Sequence, residues 1–310
     1  MKILYGIAGE GLGHAIRCKP ILEHLIKKHN VIILCGGRAY EFYKKKMPNI
    51  TREIGAFRLA FNSNRIEVGK TIFNNLFSLP DTIRKSFKIK GIIEDFRPDV
   101  IISDFEPFSA YFAILYKIPS IAIDNQNIAI NTEIDTKSKL NRFFSYFVIK
   151  SLSPKSNYFL ITSFFYPKIK KNNTFLFSPI LREEILGKTG KKGKHVLLYL
   201  HNIKDSIINS LNKIDEKFIL YGDNLYWKSK NVLSKKFNEV SFIKDFINCK
   251  AIICNGGFTT LSEAIYLRKP IICIPIGGHH EQILNAEYVE KLGYGIYVKK
   301  IDENIINNYK

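Results

Sequence analysis

Short apolar runs alternate with longer amphipathic stretches along almost the whole chain. "KILYGIA" (2–8) gives way to a helical pattern from about Ala15 to Lys28, and "VIILCGG" (31–37) follows. "DVIISD" (99–104), a helical "PFSAYFAILYK" and "PSIAID" (119–124) repeat the rhythm, which "YFLITS" (158–163) and "TFLFSP" (174–179) close. Runs this short, apolar at both odd and even positions, predict strands buried on both faces. That is the pattern of a parallel sheet with helices on either side. The segment "ILREEILGKTGKKGK" (180–194) is charged, glycine-punctuated and poor in apolar periodicity, which marks a linker. Beyond it the alternation restarts with "HVLLYL" (195–200), "KFILYG" (217–222), "VSFI" (240–243), "KAIIC" (250–254), "PIICIPI" (270–276) and "GIYV" (295–298). The expectation is therefore two α/β domains, 1–179 and 195–310, joined by 180–194.

Length and composition agree with this. A chain of 310 residues is long enough for two domains, and 46% hydrophobic with 24% charged residues is a globular balance. No apolar run reaches the roughly 18 residues that span a bilayer. The N-terminus, with one lysine and an apolar stretch broken at Gly6, does not read as a secretory signal. Five scattered cysteines without a CxxC pair argue against a disulfide framework or zinc cluster, and for a reducing, cytoplasmic setting. The net charge of +19 raises nucleic acid as a partner, but the lysines are spread throughout rather than gathered in one arm. Phosphorylated substrates or an anionic membrane face suit that charge better. Segments 61–95 and 136–172 mix lysines with Phe73, Phe77, Phe87, Phe143, Phe144 and Phe147. They read as amphipathic helices that pack on the domain, with a membrane-facing or acceptor-facing surface as the alternative.

The first candidate chemistry lies in "GIAGEGLGHAIR". Gly9, Gly11 and Gly13 fall between the first strand and the first helix, where backbone can approach a ligand closely. The spacing is GxGxG rather than GxGxxG, and the second strand ends in "CGGR" without an acid. Arg38 there keeps an NADP-dependent oxidoreductase open as a second reading. His14 is either a polar cap or a general base. Asp104, at the end of a strand expected near the first, favours the base, because an aspartate can fix a histidine's tautomer while it removes a hydroxyl proton. Glu106 completes "DFE", but two acids without a third ligand are weak grounds for a metal.

The second candidate is "NGGFTTLSEA" (255–264). Gly256 and Gly257 end an apolar run, and a helix starting near Thr259 would offer its N-terminus to an anion, with Thr259, Thr260 and Ser262 as hydroxyl donors. Glu263 could hold ribose hydroxyls, or could close a capping box with Thr260. A further glycine corner follows in "GGHHEQILNA", bringing Glu281 and Gln282 beside the first. His279 and His280, adjacent in sequence with no third ligand, are disfavoured as a metal pair.

The run "CNGGFTTLSEAIYLRKPIICIPIGGHHEQILNAEYVEKLGYG" (254–295) resembles the donor-binding segment of GT-B glycosyltransferases, both the MurG-type N-acetylglucosaminyltransferases and the plant-type UDP-glycosyltransferases. "GEGLGH" and "SDFEP" resemble those enzymes' acceptor-side glycine loop and strand-end aspartate. In this looser sense the likeness spans nearly the whole chain and points to a MurG-like prokaryotic subgroup. It implies two Rossmann-like, doubly wound domains facing a central cleft, the first for the acceptor and the second for the donor. By resemblance, Gly256, Gly257, Thr259 and Thr260 hold the diphosphate, with Asn255 standing where the plant-type motif has a phosphate-binding histidine. Glu263 would hold the ribose, Glu281 and Gln282 the sugar, Arg182 the nucleotide, and the backbone around Phe242 and Ile243 the base. His14 would be the base toward the acceptor, oriented by Asp104, with Gly9, Gly11 and Gly13 as the acceptor-side loop.

The implied reaction is inverting transfer from a nucleotide-sugar, a UDP-sugar by resemblance, to an acceptor hydroxyl, without metal or other cofactor. The acceptor would be a glycan, a lipid-linked molecule or a small molecule, and the protein cytoplasmic, with the inner membrane face as a peripheral site. A sugar-nucleotide-binding protein without catalysis is the remaining alternative. Two departures stand out. "YLHNIKDS" replaces the usual glycine- and serine-rich loop, leaving His201 and Asn202 as candidates there. The chain also ends about a dozen residues after its last strand, so the crossover helix of this fold is expected to be short or absent.

Overall fold

A computed structural model describes residues 1–9, 11–55, 61–62, 65–66, 79–136, 139–191, 193–201, 203, 205–222 and 228–300. The chain separates into two compact units, Met1–Phe61 with Glu67–Arg182, and Asn62–Ile66 with Glu183–Lys310.

The first unit holds strands β1 (Lys2–Ile7), β2 (Asn30–Cys35) and β3 (Thr51–Glu53), a short pair β4 (Phe61–Asn62) and β5 (Arg65–Ile66), then β6 (Val100–Asp104), β7 (Ser120–Asp124), β8 (Tyr158–Thr162) and β9 (Thr174–Phe177). Its main sheet runs β3-β2-β1-β6-β7-β8-β9, parallel throughout. Side chains alternate across the sheet, so Ile3, Tyr5 and Ile7 face helices Leu12–Leu25 and Gly37–Lys46, meeting Ala15, Cys18, Leu22 and Tyr43. Leu4 and Ile101 pack on the other face against Ile89 and Ile93 of helix Leu79–Phe96 and Ala113 of helix Pro107–Leu115. Both faces are covered, which is why these strands read as continuous apolar runs.

The second unit holds β10 (His195–Tyr199), β11 (Lys217–Tyr221), β12 (Val232–Lys235), β13 (Ala251–Cys254), β14 (Ile271–Cys273) and β15 (Gly295–Tyr297), ordered β12-β11-β10-β13-β14-β15 and again all parallel. Each sheet thus grows outward in both directions from its first strand. The order reverses between β1 and β6, and between β10 and β13. In open α/β sheets ligands bind at such a reversal, beyond the carboxyl ends of the strands.

Three details differ from expectation. "VSFI" is not a strand: it lies inside helix Glu239–Ile247, capped by Asn238, whose side chain accepts from Ser241 N at 3.1 Å. Phe242, Ile243, Phe246 and Ile247 fall one turn apart, a helical stripe that a four-residue window reads equally well as a buried strand. β12, at Val232–Lys235, takes the edge position instead. The first helix begins at Leu12 rather than Ala15, so His14 sits within its first turn.

Lys269 ties the second unit's connections together. Its side chain is buried, and Nζ donates to the carbonyls of Ile247 at 2.8 Å, Lys191 at 2.7 Å and Cys249 at 2.5 Å. Burial holds its ammonium below the usual lysine range. Lys269→Met keeps the stem's bulk but strips three buried carbonyls of their donor. It is expected to lower the unfolding free energy by roughly 2–4 kcal/mol, read from urea midpoints.

Candidate functional site

At the reversal point of the first sheet, Ile7 pairs in register with Asp104, and Ala8 N donates to Asp104 O at 3.0 Å. The glycine loop and the strand-end aspartate therefore leave the sheet side by side. Gly11 is the N-cap of the first helix and supplies no side-chain cap. His14, in the first turn, and Arg17, one turn on, share a face because residues three apart are neighbours on a helix. Asp104 lies against both. His14 Nδ1 is 2.9 Å from Asp104 Oδ1, and Arg17 Nε donates to Oδ2 at 2.8 Å while Nη2 donates to Oδ1. Cys18 Sγ also donates to Oδ2, at 2.8 Å.

Asp104 is 1% exposed, and burial pushes its carboxyl up. The Arg17 guanidinium and then His14 outweigh that and hold it well below the usual carboxylate range. Burial and the neighbouring Asp104 push the Cys18 thiol up, so it serves as a donor rather than a nucleophile. His14 keeps 17% of its side chain exposed and stacks on Phe105 at 6.5 Å between centroids. Phe105 takes a left-handed φ of 53°, uncommon for a bulky side chain, and the strain falls at the site where a mechanism would use it.

Glu106 does not turn toward a metal. It caps helix Pro107–Leu115, accepting from Ser109 N at 2.7 Å and Phe108 N at 3.0 Å. Gly6 permits this packing, since a Cβ there would lie 2.0 Å from Ser109 Oγ. Among the described residues no three histidines, cysteines or acids converge as a metal site would require.

A second polar feature was not singled out in the sequence. Asp124, which ends β7, and Asn125, Gln126 and Asn127 after it are all buried. Gln126 Oε1 accepts from Arg17 Nη2 at 3.3 Å, and its Nε2 lies 3.5 Å from His14 Nε2. The available signal was a run of four consecutive polar residues, "DNQN", that starts at the last residue of an apolar strand, where a turn would ordinarily be solvated.

In the second unit, His201 N donates to Asn255 Oδ1 at 2.6 Å, and Asn255 Nδ2 donates to Ile274 O at 2.8 Å. Asn255 thus bridges the loops after β10, β13 and β14, and both ends of its amide have a partner there. Gly256 has φ +86°, and a Cβ on it would come 2.9 Å from Gln282 O, so glycine lets two βα corners meet. Gly257 is the N-cap of helix Phe258–Tyr266, and no side chain caps this N-terminus. The capping box between Thr260 and Glu263 does not form, because the helix has already begun two residues before Thr260.

Thr259 and Glu263 are buried, and Ser262 Oγ bonds back to Phe258 O at 2.8 Å. Glu281 and Gln282 open the next helix, His280–Lys291, and Gln282 Oε1 accepts from Ile276 N at 3.0 Å. The structure brings the corner at 256–263 together with Gln282. It does not offer the backbone of Phe242 and Ile243: both are buried in mid-helix, with Phe242 N donating to Asn238 O at 2.9 Å and its ring packed on Tyr199 and Tyr221. Arg182 is buried within the expected linker. Asn202, Phe73 and Phe77, with the side chains of Phe143 and Phe144, lie outside the described residues.

The family model described as glycosyl transferase family 1 matches residues 1–310. The chain belongs to that family. Among curated relatives, an uncharacterised glycosyltransferase of Methanosarcina acetivorans is 25% identical, covering 95% of this chain and 85% of its own length. A UDP-N-acetylglucosamine–N-acetylmuramyl-(pentapeptide) pyrophosphoryl-undecaprenol N-acetylglucosamine transferase of Alkaliphilus metalliredigens is 24% identical, covering 99% and 87%. Among solved structures, the kitacinnamycin glycotransferase superposes with a TM-score of 0.68 at 14% identity, covering 99% of this chain and 89% of that one. Arabidopsis thaliana UGT89C1 complexed with UDP gives 0.65 at 12%, covering 99% and 90%. At those identities the likeness shows the GT-B fold. The glycosyltransferase is thus an α/β protein of two parallel-sheet units, and the oxidoreductase reading is not favoured.

Burial pushes the Glu106 carboxyl up to about 7, against its backbone donors at Ser109 and Phe108. Below its ordinary value of 4.5, folded and unfolded chains both keep this proton, and the contribution to stability is fully present. As pH rises from there toward about 7, the unfolded chain releases it first, so stability falls across that window. Wild type is therefore expected to lose up to about 3 kcal/mol relative to Glu106→Gln over that range, followed by denaturant midpoints. A difference that does not change with pH would mean the carboxylate is ionised throughout.

Proposed function

We propose that this glycosyltransferase moves a sugar from a nucleotide-sugar, a UDP-sugar, to an acceptor hydroxyl with inversion and without a metal. The observation that carries the reading is the contact of His14 with an ionised Asp104 at the carboxyl edge of the first sheet. The donor assignment is supported by the uncapped helix N-terminus behind Gly256 and Gly257, which suits a diphosphate. The names of relatives that act on UDP-N-acetylglucosamine or are called UDP-glucosyltransferases support the uridine nucleotide. In this reading 1–179 takes the acceptor, 195–310 the donor, and 180–194 links them.

His14 Nε2 removes the hydroxyl proton as the oxygen attacks the anomeric carbon from the side opposite the diphosphate, and the C–O bond to the diphosphate breaks. Asp104 steadies the imidazolium that forms. The N-terminus of helix Phe258–Tyr266 and the hydroxyls of Thr259 and Thr260 offset charge on the departing UDP. Glu263 holds the ribose, while Glu281 and Gln282 hold the sugar. Arg182 contributes to the nucleotide. Gly256 and Gly257 admit the diphosphate, and Asn255 shapes its corner rather than binding it.

The acceptor is a glycan, a lipid-linked molecule or a small molecule. One relative's name includes a pyrophosphoryl-undecaprenol substrate, which favours the lipid-linked class and a cytoplasmic protein at the inner membrane face. No helix among the described residues is long and apolar enough to cross a membrane. Helix Lys139–Leu152 exposes Tyr146, Phe147 and Val148 beside Lys150, a mixture suited to an anionic lipid surface.

His14→Ala is expected to lower UDP release from UDP-N-acetylglucosamine or UDP-glucose, assayed with a panel of acceptors, by about a hundredfold or more. UDP affinity by calorimetry should stay unchanged; turnover that survives the substitution would remove His14 as the base. In the same titration Glu263→Ala should weaken UDP at least tenfold, and equal binding would move the ribose elsewhere. Sedimentation with phosphatidylglycerol vesicles should fall for Phe147→Ser if the aromatic helix face meets lipid, and no change would exclude that face.

A further inference from the structure

His14 Nδ1 has two close neighbours, Asp104 Oδ1 at 2.9 Å and Arg17 Nη2 at 2.9 Å. A guanidinium only donates, and an ionised carboxylate only accepts. Asp104 is held ionised by Arg17, so Nδ1 must carry the hydrogen that joins it to Oδ1. A bare Nδ1 would set two lone pairs against each other at hydrogen-bonding distance. The proximity of Arg17 Nη2 to Nδ1 then follows from two donors converging on one oxygen.

Gln126 supplies an independent indication from the other side of the ring. Amide oxygen and nitrogen are told apart by their partners. Gln126 Oε1 faces two donors, Arg17 Nη2 and Asn125 N, each at 3.3 Å, which fixes the amide's orientation. Its NH2 group is thereby directed at His14 Nε2, 3.5 Å away. An amide nitrogen donates and does not accept, so the ring nitrogen opposite it must be the bare one. Both sides of the imidazole give the same tautomer.

We propose that Gln126, oriented by Arg17, is a positioning residue that keeps His14 Nε2 unprotonated and directs the acceptor hydroxyl onto it. A hydroxyl that donates to Nε2 must place its oxygen near the same NH2 group. That oxygen can accept from Gln126 while its hydrogen points at the base, which aligns the proton for transfer. Arg17 acts through Gln126 and Asp104 and touches no reacting atom. The inference deepens the reading of His14 as base and rests on it for its consequence in catalysis, but not for its test.

The test is the tautomer of His14 in the full chain, labelled with 15N-histidine. It is read by long-range proton–nitrogen correlation at a pH well above the ordinary imidazole range, with His14→Gln to assign the signals. Wild type is expected to show a protonated Nδ1 and a bare Nε2. Gln126→Met, close in size, should shift the bare-nitrogen signal toward that of an imidazole without a hydrogen bond. Gln126→Glu places an acceptor opposite Nε2 and, with Asp104 still holding Nδ1–H, should favour the imidazolium with a proton on both nitrogens. A wild type with Nε2–H, or an Nε2 signal unmoved in Gln126→Met, overturns the assignment, and Gln126→Met keeps it testable should the buried carboxylate of Gln126→Glu prevent folding. Undiminished transfer by His14→Ala would instead remove the base while leaving these nitrogen signals as expected.

Discussion

Everything at the carboxyl edge of the first sheet depends on one buried negative charge. An isolated carboxylate at Asp104's depth would cost several kcal/mol to desolvate, and protonation would be the easier course. Arg17, His14 and Cys18 place four donors on its two oxygens, which fills the lone-pair sites of a carboxylate. The charge therefore persists, and because its donors come from the first helix while Asp104 ends β6, it binds that helix to the centre of the sheet. His14 inherits its position from this arrangement. Its outer nitrogen is left facing the loop after β7, where Gln126 waits.

Contrasting neighbours make the contribution of Arg17 clear. Asp124 and Glu106 are buried nearby without a bidentate cation, and burial pushes their carboxyls up to about 6 and about 7; local hydrogen bonds oppose this at both, and at Asp124 the more distant Arg17 charge helps them while Asp104 works against them. The guanidinium is what sets Asp104 apart from the other two acids at this sheet edge. The corner at Gly256 in the second unit uses different physics. It relies on glycine backbone, an uncapped helix N-terminus and neutral amides such as Asn255 rather than on a buried charge.

The doubly wound architecture was legible because each central strand is covered on both faces, and that burial writes an apolar run into the chain. The glycine corner at Gly256 was legible too, since its left-handed φ and the close approach of Gln282 O leave no room for a side chain. "VSFI" was misread because four apolar residues do not distinguish a strand from one helical turn, and Asn238, the cap that decides it, lies outside that window. Arg17 was passed over because in sequence it is one cation among 47 lysines and arginines. Gln126 was passed over because an amide in a polar run looks like a turn.

The sequence by itself determined the two α/β units, their strand-end glycines, and His14 with Asp104 as a candidate pair, because periodicity and backbone need are local properties. Only the tertiary structure decided which groups share that aspartate and how the imidazole is held. Those contacts join residues 87 and 109 positions apart, and they exist only once parallel pairing has brought the ends of β1, β6 and β7 to one edge.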